Sequence, residues 1–459
     1  MYAIDALKAD LGKIPHTTDP IVIRRKSRDH FVISPLLRGD LAGNLADIVV
    51  SPRTKEEVID AVAIAVKHRI PITARGGGTA NYGQSVPLQG GVLLDMMDYA
   101  GVISVEPGVV RAKAGTIVLD IEKAARAQGW EFRIHPSTIS TSTIAGFIAG
   151  GSGGIGSAMW GMLRDRGNIT AIEVISAEEN PRLLELTGDD LELVHHAYGA
   201  NAIMTEVAMP TGPAWPWREC VVAFPDFMQA LRFGGRLAHE TGLIKKLISI
   251  HEWPIPRLMR ELGDVVPEGN AMVNCYISAT CFESFECLMR EFGGSLASNS
   301  AYGENPFGAP LYEFAYGHGL RQLQKTEPLY TGFQGMFRGE GLFDQVAKVR
   351  QIAGPEQPFR LEIFWSEGEV VAMGSPVVKF RNSAQMAEMV SVIQNSGGTV
   401  ANSHTTGVRE VGIKRITPRD VVFKREMDPY NLLNPGKLNL DEVASGVLPT
   451  SGWAFRARA

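Results

Sequence analysis

The sequence predicts an α+β protein in two parts, and three observations carry that prediction. A strand–helix–strand run empties into three consecutive glycines, Gly76 to Gly78. A second stretch of glycines and hydroxyls, Pro136 to Gly156, follows further strands. Between residues 219 and 297 the pattern changes to β-α-β twice over, a split ferredoxin-like arrangement.

The chain has 459 residues, 45% hydrophobic and 21% charged, the composition of a soluble globular protein with ample core. A net charge of −5 argues against a nucleic-acid partner. No apolar run reaches the roughly 20 residues of a membrane span. The N-terminus lacks a basic-then-apolar leader, so a cytoplasmic location is expected. Cys220, Cys275, Cys281 and Cys287 make no Cys-x-x-Cys pair, and neither a metal site nor an iron–sulfur cluster is expected.

Taken in order, the basic cluster Arg24, Arg25, Lys26, Arg28 and His30 reads as a solvated strand or loop before Phe31-Val32-Ile33. Ile48 to Val50 is a strand. Thr54 to Glu57 is a capping box opening a helix that carries Val58, Ile59, Val62 and Val66 at helical spacing. Pro71 stops that helix near Arg69 and begins the strand 71–74. Further strands are expected at 91–95, 102–105, 109–114 and 168–176, with helices at 116–128 and 189–198. Pro210 to Trp217 reads as a linker. Beyond it come strands at 219–224, 245–251, 271–279 and 294–297, with helices at 225–241 and 282–292. Strands at 360–365 and 370–373 and a helix at 383–393 extend the same layer.

The glycine loop, Arg75-Gly76-Gly77-Gly78-Thr79, can turn tightly and expose successive N–H groups, which makes an anion cradle. It is not the dinucleotide fingerprint of a Rossmann unit. That motif needs Gly-x-Gly-x-x-Gly opening a helix, whereas Asn81 stands at the third glycine and Tyr82 to Pro87 cannot be a first helical turn.

The loop with its following Gly83-Gln84 resembles the pyrophosphate loop of the vanillyl-alcohol oxidase / p-cresol methylhydroxylase (PCMH-type) superfamily of FAD flavoproteins. Three further stretches resemble the same family in the same order: Pro136-Ser137-Thr138 with Thr143-Ile144-Ala145-Gly146, then Gly199 to Glu206, then Asp428 to Lys437. Ala145 and Ala202 stand where the family has glycine. The resemblance implies a PCMH-type FAD-binding domain of two α/β subdomains, residues 1–215 plus 415–459 with its core at 42–212. It implies a ferredoxin-like cap, 216–414, that binds substrate. It further implies that Arg75 to Thr79 hold the pyrophosphate and that Tyr82, Gly83 and Gln84 lie along the flavin. Pro136, Ser137, Thr138, Thr143 and Gly146 would line its other side, Ile203 would run beside the adenine half, and Asn434 and Lys437 would close the flavin edge. FAD then accepts a hydride at N5 from a substrate C–H bond, and the protein supplies position and proton removal. Covalent attachment in the family often uses a histidine in the glycine loop; Thr79 stands there, so the FAD is expected to be non-covalent.

The substrate is expected to be a small hydroxyl-bearing molecule, and an arginine in a cleft would suit a carboxylate on it. The cap offers Arg321, Arg338, Arg360, Arg381 and Arg409, with Tyr312. The Gly-His-x-Gly-Asp-Gly-Asn-x-His stretch of the family's metal-assisted 2-hydroxy-acid dehydrogenases is absent, and Tyr316-Gly317-His318-Gly319-Leu320 stands instead. For the base, His318 ranks first with Tyr316 as partner, and His404 second, both in segments read as irregular cleft-lining backbone. His135 lies beside the second flavin loop. The electron acceptor is left open among oxygen, a quinone and a redox protein, as is a homodimer. Two other classes stay open: a non-redox FAD enzyme like the alkyl-dihydroxyacetone-phosphate synthases, and a flavin electron-transfer subunit.

Overall fold

A computed structural model describes residues 2–438 of the chain. Apolar residues on both faces of Ile48–Val50 (β1), Ile72–Arg75 (β2) and Val92–Asp95 (β3) favour a parallel sheet covered on both sides. Here β3 lies between β1 and β2 and parallel to both, and the two-residue strand His16–Thr17 pairs with β1. Helix α1 (Lys55–Lys67) starts at Thr54, whose hydroxyl accepts from the Glu57 N–H, and buries Val58, Val62 and Val66. The glycine loop therefore leaves β2 at its carboxyl end, where ligands bind in open α/β sheets.

The next unit is antiparallel: Val102–Glu106 (β4), Val109–Lys113 (β5), helix Val118–Arg126 (α2), Trp130–Phe132 (β6), helix Ile144–Gly150 (α3), Ala171–Ile175 (β7), Leu183–Thr187 (β8) and Ile203–Pro213 (β9). The sheet order is β4-β5-β9-β7-β8, and the end of β9 pairs with β6. Three expectations are corrected here. The basic cluster begins inside a helix, Pro20–Lys26, capped by the Asp19 carboxylate. The stretch 189–198 makes only a 3₁₀ turn, Gly188–Leu193, because His196 and Tyr198 take φ of 49° and 56°, which no right-handed helix tolerates. Residues 210–213 are strand rather than linker, since Thr211 to Pro213 pair with β6 before the next strand starts at Trp217.

The eight-stranded cap sheet is a duplication. Its first βαββαβ unit comprises Trp217–Phe224 (β10), helix Phe227–His239 (α4), Lys245–His251 (β11), Ala271–Ser278 (β12), helix Phe282–Glu291 (α5) and Ser295–Ala301 (β13). Helix Tyr316–Gln324 (α6) follows. The second unit repeats the pattern with Gln334–Arg338 (β14), helix Leu342–Ala353 (α7), Phe359–Ser366 (β15), Glu369–Pro376 (β16), helix Ser383–Asn395 (α8) and Thr399–Ala401 (β17). The sheet order is β13-β10-β12-β11-β15-β16-β14-β17, so the halves meet edge to edge at β11 and β15. The four helices cover one face through Phe227, Leu231, Phe285, Val346, Met389 and Ile393. The first half is pinned to the antiparallel unit by a buried bridge: Lys246 Nζ lies 3.1 Å from Glu131 Oε1, and the Trp217 indole N–H donates to Glu131 Oε2 at 2.8 Å. Helix Pro418–Met427 (α9) leads back to β2, where the Ile72 N–H donates to the Leu432 carbonyl. No helix among the described residues is long and apolar enough to cross a membrane.

Candidate functional site

The second loop lies directly against the glycine loop, closer than side chains would permit. A Cβ on Gly76 would fall 2.0 Å from Thr143 Oγ1, and one on Gly77 would fall 1.9 Å from the Thr141 carbonyl oxygen. Gly78 takes φ +66°, and a Cβ there would overlap the Arg75 guanidinium. The glycines thus make room for the neighbouring loop and for Arg75. Hydroxyls tie the loops together: Ser142 Oγ lies 2.8 Å from Thr79 Oγ1 and 2.5 Å from Thr138 Oγ1. Among the described residues the N–H groups of Gly76 to Thr79 meet no protein acceptor, and Arg75 Nε is buried without a partner. Unspent donors in one loop beside a buried guanidinium are what an anion nest presents.

Two adjoining cavities open from this cradle. The smaller, about 90 Å³, is walled by the glycine loop, Thr143, Ala145, Ala202 and Ile203. The larger, about 210 Å³, runs past Tyr82, Pro136, Ser137 and Thr138 to the cap. Thr79, Ala80, Gln84, Gly146 and Gly150 belong to both walls. A long ligand with an anionic middle fits this pair, and FAD is such a ligand. Asn434 and Lys437 line neither cavity. Asn434 Nδ2 donates to the Gln84 and Tyr198 carbonyls at 2.8 Å each, and Lys437 Nζ donates to the Gly83 carbonyl at 2.5 Å. They brace the loop from behind, which corrects the expectation that they close the flavin edge. Burial pushes the Lys437 ammonium down to about 7, against the pull of Asp29.

The cap contributes the opposite wall. Strand alternation sends Leu361 and Ile363 into the helix-covered core and leaves Arg360 and Glu362 on the larger cavity. Arg360 Nη1 donates to the Tyr316 carbonyl at 2.5 Å and to Glu362 Oε1 at 3.1 Å. Glu362 Oε1 also accepts from the Tyr316 N–H at 2.7 Å and from the Ser249 hydroxyl at 3.0 Å, while Oε2 has no partner. These bonds clamp Tyr316 at φ 50°, a conformation unfavourable for a bulky residue. Glu362 is 1% exposed, and burial pushes its carboxyl up to about 7 despite Arg360.

All three sequence-ranked catalytic candidates reach the larger cavity. His318 sits in the first turn of α6, an ordered helix rather than irregular backbone. Its Nδ1 lies 2.5 Å from Glu313 Oε2, and its Nε2 is buried without a partner. With Nδ1–H donated to the carboxylate, Nε2 carries the free lone pair. Tyr316 is not its partner. Burial raises that phenol well above its usual range, with Ser157 pulling the other way. His404 bonds through Nδ1 to Ser34 Oγ at 2.8 Å, and burial pushes its pKa down to about 4. His135 is packed edge-on against Tyr312, pushed down to about 3, and lines neither cavity. Of the cap arginines, Arg360 alone lines the larger cavity; Arg321 donates instead to His30, and Arg338 reaches Glu367. Sequence reasoning passed over Glu313 and Glu362. For Glu362 a signal existed, since Arg360 and Glu362 are opposite charges two apart inside an otherwise apolar strand.

Residues 46–180 match the family model described as FAD binding domain. The chain is 31% identical over 426 residues to the glycolate oxidase subunit GlcD of Bacillus subtilis (strain 168), covering 86% of this chain and 89% of that protein. It is 22% identical over 447 residues to a D-lactate dehydrogenase of Archaeoglobus fulgidus, covering 88% and 93% respectively. Among solved structures, an alkyldihydroxyacetonephosphate synthase superposes with a TM-score of 0.70 at 16% identity, over 95% of this chain and 86% of that one.

Proposed function

This chain belongs to the FAD-linked oxidoreductase family of the glycolate oxidase subunit GlcD, and from that premise we propose that it oxidises a small 2-hydroxy carboxylate whose carboxylate rests on Arg360. It is an FAD-dependent oxidoreductase acting on CH–OH donors. The observation that carries the substrate reading is a largely buried guanidinium at the wall of a cavity continuous with the nucleotide cradle. A planar fork of donors is matched to a carboxylate.

Bound FAD supplies the hydride acceptor. With FAD bound, Arg75 to Thr79 would hold its diphosphate, Tyr82 and Gln84 with Pro136, Ser137, Thr138, Thr143 and Gly146 would flank it, and Ile203 would line the smaller cavity beside it. Arg360 fixes the substrate carboxylate, and His318 Nε2 receives the hydroxyl proton while Glu313 stabilises the imidazolium that forms. Leu320, Phe333 and Val377 give this wall an apolar lining that excludes water from the reacting carbon. His404, its imidazole pushed down to about 4 by burial, holds the second place. We divide the chain into an FAD-binding part, 1–215 plus 415–459, and a substrate part, 216–414. Supporting this division, all eight strands of the cap sheet come from 217–401, while Leu432 and Asn434 bond back to Ile72. The reaction is placed in the cytoplasm, with oxygen, a quinone or a redox protein as second substrate.

Anaerobic mixing with a series of 2-hydroxy acids tests the reading: the flavin absorption band is expected to bleach with at least one. Bleaching by simple alcohols and by no hydroxy acid would remove the carboxylate from the proposal. With the acid that works, His318→Gln is expected to keep FAD and slow single-turnover bleaching by about 10²-fold or more. An unchanged rate would move the proton to another group. The FAD is expected to dissociate, because Thr79 occupies the loop position and spends its hydroxyl on Ser142. Acid precipitation should leave a colourless pellet and a yellow supernatant.

A further inference from the structure

The Arg360 reading leaves an imbalance at the cavity wall. Glu362 Oε1 is saturated by three donors, the Tyr316 N–H, the Ser249 hydroxyl and Arg360 Nη1, whereas Oε2 is buried and unpartnered on a residue that lines the cavity. An ionised Glu362 would set a second negative charge beside the incoming carboxylate at one guanidinium. Like charges that close do not both stay ionised in a dry site.

Resting on the 2-hydroxy carboxylate reading above, we propose that Glu362 engages the substrate as a neutral carboxylic acid, donating from Oε2–H to the substrate carboxylate beside Arg360. Substrate binding therefore takes up a proton from solvent. The groups facing Glu362 allow this. Arg360 comes from its own strand. Ser249 and His251 come from β11, with His251 Nε2 3.0 Å from Ser249 Oγ and its pKa pushed down to about 3 by burial, so it is neutral. From α6 come Tyr316, a neutral phenol, and His318, whose carboxylate partner Glu313 bonds its far nitrogen. Tyr82 faces Arg360 from the glycine loop, its phenol raised by burial. None of these is a second carboxylate at Oε2, so the competing anion is the substrate's own. A carboxyl already pushed up to about 7 by burial is easily protonated near neutrality.

The sign of the pH dependence follows. Binding favours the protonated form, so the pKa of Glu362 in the complex exceeds its value in the free protein. Affinity is flat below about pH 7 and falls up to tenfold per pH unit above it.

The test uses the FAD-loaded protein and two carboxylates that cannot be oxidised, oxamate and 2-oxo-4-methylpentanoate, followed by their perturbation of the flavin spectrum from pH 5.5 to 9. The expected results are the tenfold-per-unit loss above about pH 7 and, in weak buffer with an indicator dye at pH 8, uptake approaching one proton per ligand bound. Glu362→Gln, whose amide is a permanently neutral donor, is expected to bind both with a flat pH profile and no proton uptake. A pH-independent wild-type affinity, binding without proton uptake, or a Gln variant that keeps the slope would each overturn the proposal. So would a Gln variant that binds normally yet reduces its flavin about 10²-fold more slowly, because Glu362 would then be the acceptor of the hydroxyl proton. If Glu362→Gln does not fold, the wild-type proton count decides alone. Failure of both probes to bind at any pH would overturn the carboxylate reading itself, and this proposal with it.

Discussion

Gly77→Val is expected to purify folded and colourless. The added Cβ would sit 1.9 Å from the Thr141 carbonyl oxygen, a backbone atom that cannot swing away. The two loops must part, which breaks the Thr79–Ser142 hydroxyl contact and misplaces the N–H groups of the nest. Losing several charge-assisted hydrogen bonds at about 1.5–3 kcal/mol each weakens FAD binding by roughly 10³-fold or more. The ratio of flavin to protein absorbance after purification, and reconstitution of the apoprotein with FAD, measure it. Gly39→Ala is the control, since a Cβ there meets nothing within 4 Å. Stoichiometric FAD in Gly77→Val would show the loop to be an ordinary surface turn.

Arg360→Gln is expected to keep its flavin and lose kcat/KM by roughly 10²–10³-fold, about 3–4 kcal/mol and within the range typical of truncating one partner of a buried charge pair. The loss has two sources: the substrate carboxylate has no cation, and the Tyr316 carbonyl loses the donor that helps hold φ 50°. Arg360→Lys should recover only part of it, because one ammonium cannot serve the Tyr316 carbonyl, Glu362 and a carboxylate in one plane. Stopped-flow reduction over a range of substrate concentrations separates binding from chemistry. An unchanged KM would sink the assignment.

What was legible in the sequence is what local chemistry dictates. Three glycines after a short apolar strand, the Thr54 cap and the alternation of β10 to β12 each announce themselves within a few residues. The second cap unit was half legible. Its β15, β16 and α8 were anticipated, whereas β14 is only five residues long and α7 starts at Gly341 with no side-chain cap to mark it. The start of α6 was hidden for the same reason, since Ala315 offers no capping oxygen. Glu313 was missed because its meaning depends on where the side chain of His318 turns. Glu362 is a different case: its partner Arg360 is two residues away, but Ser249 arrives from a strand more than a hundred positions distant, and no window on the sequence contains both.

The duplicated cap is built alike on both sides of its midline and used unequally. One copy is fastened down by Lys246, Glu131 and Trp217, and the other, resting on Met162 through Phe364 and Val371, turns Arg360, Glu362 and Met373 to the cavity. The seam between them pairs Ser249 with Glu362 and His251 with Arg360, and Arg360 and Glu362 carry it to the cavity wall. The first copy thus serves as a foundation and the second as a workbench. Damage to the foundation reaches the reacting groups through strand register, at sites that touch no ligand. Variation on the workbench acts by contact, so a new substrate preference can arise there while the footing stays as it was.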